Sequence, residues 1–132
     1  MTMSDPIADM ISRIKNGNLV YKAFVDIPYS NIKEEILKVL KEESYIKDYE
    51  IIEEKNRKKL RTHLLYKVGK KRVITEIKRV SKPSTRIYAS KKDIPSIKNN
   101  LGISILSTSK GILSSKKATE IGIGGEILFY IW

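Results

Sequence analysis

Ile105-Leu106-Ser107-Thr108-Ser109-Lys110-Gly111-Ile112-Leu113 is an apolar run that ends in three consecutive hydroxyls, a cation and a glycine before apolar residues resume. Further on, Ile123-Gly124-Gly125-Glu126-Ile127 sets two glycines and a carboxylate at the head of a second apolar run. The first segment reads as a strand whose polar end is made to touch something. Ser and Thr hydroxyls both donate and accept, Lys110 supplies charge, and Gly111 lets backbone approach backbone. That set suits phosphates, sugar hydroxyls and base edges. Gly122-Ile123-Gly124-Gly125-Glu126 precedes a strand instead of opening a helix, so it reads as a tight helix-to-strand corner and not as a dinucleotide fingerprint or a P-loop.

Working outward, the pattern gives a short helix over 115–120 that ends at Gly122, then a strand over 126–132. Upstream it gives a strand over 103–106, a helical piece over 95–100 ending at Gly102, and a strand over 86–89. Val80-Ser81-Lys82-Pro83-Ser84-Thr85 breaks the periodicity with polar residues and a proline. It marks 81–85 as a linker between subdomains at 1–80 and 86–132. In the amino-terminal half, Ser4-Asp5-Pro6 starts a helix whose Ile7, Met10, Ile11 and Ile14 share a face, with Asn16-Gly17 as its stop. Residues 24–27 form a strand closed by Pro28. Ser30-Asn31 opens a second helix, with Asn31 and Glu34 spaced as a capping box and Ile32, Ile36, Val39 and Leu40 as its buried stripe. From Tyr45 the period becomes two, giving antiparallel strands over 45–53, 60–66 and 73–80 joined by basic turns at Lys55-Asn56-Arg57 and Gly69-Lys70. The expected fold is α+β, an amino-terminal αβαβββ-like subdomain packed against a small, mostly β carboxy-terminal one.

The 132 residues suffice for one ordinary domain or two very small ones. A hydrophobic fraction of 41% with 31% charged residues belongs to a soluble folded chain, and no run approaches the ~18 apolar residues of a membrane span. The opening residues lack the basic region and apolar core of a signal peptide. With no cysteine, disulfides, thiolate chemistry and zinc–cysteine sites are excluded. The net charge of +11 is uneven along the chain: residues 1–54 sum to −4 and residues 55–132 to +15. Such asymmetry points to a polyanionic partner met mainly by the later part. A membrane-surface protein would gather its cations on one amphipathic helix, whereas here they recur in turns, as in Arg57-Lys58-Lys59, Lys70-Lys71-Arg72, Lys91-Lys92 and Lys116-Lys117.

Catalytic readings fare poorly. Ser107 and Lys110 have the spacing of the Ser-x-x-Lys pattern of penicillin-recognising enzymes, but they end an extended run and the companion Lys-Thr-Gly is missing. The one histidine, His63, lies mid-strand with no partner motif that would make it a general base. No His/Asp/Glu grouping has metal-ligand spacing, so neither a metal nor a cofactor is expected. A DNA-binding regulator would explain the charge, but no recognition helix with clustered base-reading residues is present. Tyr88, Tyr130 and Trp132 have rings able to stack on unpaired bases. Trp132 reads better as core, while Tyr88 stands between Arg86 and Lys91.

Across its length the chain resembles the family of the eighth protein of the small ribosomal subunit, in its bacterial form. The resemblance rests on Asp5-Pro6-Ile7-Ala8-Asp9-Met10-Ile11-Ser12-Arg13-Ile14-Lys15-Asn16-Gly17, on Ile27-Pro28-Tyr29-Ser30 with Lys33, and on Leu40-Lys41-Glu42-Glu43. It continues through Lys78-Arg79-Val80-Ser81-Lys82-Pro83 with Arg86-Ile87-Tyr88, then Leu101-Gly102-Ile103, Leu106 to Gly111, and Gly124-Gly125-Glu126. What the resemblance implies is a non-enzymatic, two-domain α/β protein that binds small-subunit ribosomal RNA at a helix of the central domain. It implies early assembly of the platform, contact with neighbouring small-subunit proteins five and twelve, and repression of the protein's own operon through a similar messenger-RNA structure. It also implies a cytoplasmic place in the ribosome, bacterial or organellar, with no membrane and no small-molecule substrate.

By motif, the principal RNA surface falls to Ser107, Thr108, Ser109, Lys110 and Gly111 with Gly124, Gly125 and Glu126. Arg86 and Tyr88 are secondary, and Ser30, Lys33, Arg13 and Asn16 mark a weaker amino-terminal contact. Glu126 has two readings, accepting from a base amine or pinning the Ser-Thr-Ser backbone. Two departures from the family pattern stand out. Ser84 replaces the glycine that usually follows Lys-Pro, which bears on a left-handed turn there, and Ile121 and Ile123 replace residues that are often polar or basic.

Overall fold

The computed structural model describes residues 5–69, 71–95 and 101–132. They form two compact units, one of residues 6–74 and one of Asp5 with 75–132. The chain carries α1 (Pro6–Leu19), β1 (Phe24–Pro28), α2 (Asn31–Glu42), β2 (Ile46–Glu54), β3 (Arg57–Leu64), β4 (Tyr66–Lys67) and β5 (Lys71–Arg72). There follow β6 (Ile77–Arg79), β7 (Tyr88–Ala89), β8 (Ile103–Thr108), β9 (Gly111–Ser114), α3 (Ser115–Ile121) and β10 (Gly125–Ile131). Among the described residues, three helices and antiparallel sheets make the fold α+β, as expected.

In the first unit an antiparallel sheet of order β1-β3-β2 packs against α1 and α2. Alternation along β3 turns Leu60, Thr62 and Leu64 inward, where they meet Val25 and Ile27 of β1 in the core with Met10, Ile14, Ile36, Leu37 and Leu40 of the helices. The opposite face is laced with paired charges. Arg61 donates to both oxygens of Asp26 at 3.0 and 3.2 Å, and His63 Nε2 lies 2.7 Å from Glu50 Oε2. The hydrogen bond from Arg61 holds the Asp26 carboxyl below its usual range. β2 and β3 turn through Lys55 and Asn56, whose φ values of 51° and 64° are those of a two-residue type I′ hairpin.

Several sequence expectations shift. The third strand of this sheet is β1, because the 73–80 segment leaves it: Thr75 and Glu76 donate their N–H groups to the Trp132 carbonyl at 2.7 and 3.0 Å, and β6 pairs with β10. The division between units therefore falls between Ile74 and Thr75, and residues 81–85 lie inside the second unit. Helix α2 is capped by Ser30, whose hydroxyl accepts from Lys33 N, one residue earlier than the Asn31–Glu34 box. Glu34 accepts instead from the Tyr29 and Tyr49 hydroxyls. Leu37 takes the buried place given to Ile32, which is exposed.

In the second unit the sheet order is β6-β10-β8-β9, with β7 also paired to β10. Its core is Ile77, Ile103, Ile105, Leu106, Ile112, Ala118 and Phe129 with neighbouring β10 residues. Arg79 forms a two-pronged pair with Asp5 at 3.1 Å. Helix α3 is capped by Ser114 and stops at Gly122, φ 84°, as the glycine there predicts. The helical piece expected over 95–100 falls on residues 96–100, outside those described.

Gly17 does not stop α1, which continues to Leu19. A Cβ at Gly17 would collide with Val25 Cγ1 and lie 3.2 Å from Leu64 Cδ1, so this glycine lets helix and sheet close up. Gly17→Ala should therefore lower stability by about 1–3 kcal/mol through overpacking, outweighing the roughly 1 kcal/mol that alanine gains in helix propensity. Urea unfolding with an unchanged slope and a lower midpoint checks it.

Candidate functional site

Strands β7, β10 and β8 build the site. In register, Glu126 of β10 lies opposite both Tyr88 of β7 and Ser107 of β8, so the three share one face of the sheet. Two glycines allow this approach. A Cβ at Gly124 would collide with the Ala89 carbonyl oxygen, and one at Gly125 with the Ser107 carbonyl oxygen. Both obstacles are backbone, which cannot swing aside as a side chain could. The corner is thus a requirement of strand packing on both sides of β10.

Side-chain roles on this face differ from the sequence reading in two ways. Glu126 neither pins the Ser-Thr-Ser backbone nor stands open; its carboxylate accepts from Arg86 at 3.0 Å. That bond holds the Arg86 guanidinium above its usual pKa. The pair joins residues forty apart in sequence, and only strand pairing signals it. Thr108 also has an internal role. Its hydroxyl donates to the Gly111 carbonyl at 2.8 Å and accepts from Lys110 N at 3.1 Å, clamping the β8–β9 turn. Gly111 closes that turn at φ 96°, a conformation L side chains rarely adopt.

What stays open is the rest of the cluster. Among the described residues no hydrogen bond engages the Ser107 or Ser109 hydroxyl, and Ser109 and Lys110 are exposed at the turn. Tyr88 is 69% exposed, unusual for a strand aromatic, and leaves its ring free to stack. Lys82 and Thr85 exchange backbone hydrogen bonds at 2.9 and 3.0 Å, and Ser84 completes the turn without a positive φ. The glycine usual at that place is not needed for this geometry. Ile121 is exposed and Ile123 half-buried beside the corner. The Ser-x-x-Lys spacing falls on a hairpin turn, not on one turn of a helix.

The amino-terminal candidates are not a single cluster. Arg13 and Asn16 line one groove with Val20, Lys22 and Phe24, and Arg13 is held by Asp9 at 2.8 Å and by the Asp26 carbonyl. Ser30 caps α2. Lys33 is buried, its ammonium donating to the Pro28 carbonyl at 3.3 Å, and burial pushes its pKa down. Both are accounted for by the fold itself.

Charge follows the units differently from the halves of the sequence. Residues 6–74 carry sixteen Lys and Arg against ten Asp and Glu, a net +6, and Asp5 with 75–132 carries ten against five, a net +5. The excess in the first unit comes from residues 55–72, which hold nine cations and no carboxylate. Charge alone therefore does not single out the second unit.

Residues 5–132 match the family model for ribosomal protein S8. The chain belongs to the ribosomal protein S8 family. It is 53% identical to the small ribosomal subunit protein uS8 of Thermosipho africanus, with 98% of each chain covered. It is 49% identical to that of Desulforamulus reducens over the whole of both, and 52% identical to that of Thermotoga maritima with 98% of each covered. The family is a structural component of the ribosome and not a family of enzymes, which removes the catalytic reading of Ser107 and Lys110. Among the described residues no helix is long and apolar enough to cross a membrane.

If Thr108 clamps the turn, Thr108→Val should lower stability by about 1–2 kcal/mol, the sum of two partly exposed hydrogen bonds. Ser107→Ala and Ser109→Ala should stay within about 0.5 kcal/mol of the parent. Denaturant midpoints of the three variants check the contrast.

Proposed function

We propose that the chain binds small-subunit ribosomal RNA directly, through the face of β7, β10 and β8 and the adjoining β8–β9 turn. The observation that carries this reading is the row Tyr88, Glu126, Ser107, an open aromatic and an open hydroxyl on either side of an arginine-paired carboxylate. Lys110 and Ser109 extend it at the turn. Bases in an intact A-form helix are poorly accessible from the deep major groove, so the RNA partner is an irregular or widened part of a helix. There Ser107 and Ser109 reach 2′-OH groups and base edges, Tyr88 stacks, and Lys110 meets a phosphate. Gly111, Gly124 and Gly125 act by letting the backbone close up, and Thr108 by shaping the turn.

Arg86 and Glu126 act as a unit in this reading. The carboxylate orients the guanidinium, and the guanidinium keeps a negative charge tolerable beside phosphates. Arg13 and Asn16 are the remaining amino-terminal candidates for a weaker RNA contact; Ser30 and Lys33 support it only by fixing α2. The site belongs to the central domain of the RNA, with roles in platform assembly beside proteins five and twelve and in repression of the chain's own operon in a bacterial cytoplasm. A messenger-RNA structure that mimics the ribosomal site would use the same surface and compete for it.

Two titrations test this. Log affinity for the cognate RNA should fall linearly with log salt, and Lys110→Ala should flatten the slope by roughly one unit or less. Ser107→Ala should cost roughly tenfold in cognate affinity, about the worth of one hydrogen bond, while leaving scrambled RNA unaffected. An equal loss on both RNAs would show that Ser107 does not read the site.

A further inference from the structure

Two short strands share one edge of β10, β6 over residues 129–131 and β7 over residues 125–126. Between them the chain leaves that edge and comes back to it. Val80 N donates to the Leu128 carbonyl and Ser81 N to the Ile127 carbonyl, both at 3.1 Å. Six residues after Ser81 the Ile87 carbonyl accepts from Ile127 N at 2.9 Å.

One side chain joins the departing segment to the returning one. Ser81 is fully buried, and its hydroxyl accepts from Ile87 N at 2.8 Å and donates to the Ile87 carbonyl at 3.1 Å. A hydroxyl has one proton to donate and lone pairs to accept with, so it serves both backbone groups of one residue, as an opposing strand would. An alanine in its place would leave the Ile87 N–H without this acceptor. The segment that reads from sequence as a linker is therefore a joint.

Ile87 stands between Arg86 and Tyr88. Side chains alternate along an extended chain, so fixing Ile87 sets its two neighbours together on the opposite face. That is the face of Glu126, which accepts from Arg86 at 3.0 Å and lies in register with Tyr88. Arg86 and Tyr88 are both exposed, so their placement depends on the backbone that carries them.

We infer that Ser81 is a positioning residue for RNA recognition, whose buried hydroxyl holds Ile87 and so sets where Arg86 and Tyr88 meet the nucleotides. The inference rests on the reading of the β7, β10 and β8 face as the RNA surface.

Ser81→Ala in the full chain removes both bonds. Without RNA, the Ile87 amide should exchange at least tenfold faster while residues 6–74 are unchanged. Affinity for a transcript of the central domain of small-subunit ribosomal RNA should fall at least fivefold, with no change for a scrambled transcript of equal length. A double-mutant cycle separates positioning from mere support of the fold. In a chain already carrying Arg86→Ala and Tyr88→Ala, Ser81→Ala should cost no further affinity, because the groups it acts through are gone. Ser81→Cys keeps the shape with weaker hydrogen bonding and takes the same cycle if the alanine variant does not fold. The full loss persisting in that background, or an unchanged Ile87 exchange rate, would overturn the inference. A parent chain with no preference for the central-domain transcript would instead overturn the reading of this face as the RNA surface, and the exchange rate would still decide whether Ser81 holds Ile87.

Discussion

The candidate site depends on one close approach, the passage of β10 between β7 and β8 at Gly124 and Gly125. At both positions the space of a Cβ is already taken by a neighbouring strand's carbonyl oxygen. Only glycine lets three backbones meet there, and the meeting puts Tyr88, Glu126 and Ser107 in one row from segments far apart in sequence. Without it, the Arg86–Glu126 pair and the open hydroxyl of Ser107 would have no common surface. The specificity of such a site is geometric before it is electrostatic. Phosphate attraction tolerates lateral shifts of a lysine, but a hydroxyl reading a sugar or base edge must lie within hydrogen-bond distance.

The distribution of charge sharpens that point. With +6 on one unit and +5 on the other, long-range attraction to a polyanion is shared. Each unit pairs some of its cations and leaves others exposed, Lys67 and Lys71 in the first and Lys110 in the second. In the first, Arg61 and Lys59 are bound to Asp26, and Arg72 to backbone carbonyls. The second presents Lys110 at an open turn beside unengaged hydroxyls.

Much of this was legible in the sequence, for identifiable reasons. The stripe of Ile7, Met10, Ile11 and Ile14 places α1 because helical periodicity records a buried face directly. The Lys55-Asn56 turn and the Gly122 stop were legible because their backbone conformations demand particular residues. Strand partnership was not: alternation says which face a strand buries but not beside which strand, so β1 took the place given to residues 73–80. Gly17 looked like a helix stop because a glycine kept for packing and one kept for ending a helix have the same letter. At the site, Ser107 to Gly111 and the Gly-Gly-Glu corner stood out by composition. The division of labour among the hydroxyls did not, since it depends on a turn that brings Thr108 to the Gly111 carbonyl and leaves Ser107 open. The Arg86–Glu126 pair was hidden for the same reason.

The most direct test of the close approach is amide hydrogen exchange on Gly125→Ala, read beside its affinity for the cognate RNA. Exchange should quicken in 88–89, 105–108 and 125–127, with residues 6–74 unchanged, and selective RNA binding should fall at least tenfold together with that protection. Unaltered protection in those strands with unaltered affinity would contradict the account, because a methyl group would then fit where the structure leaves it no room.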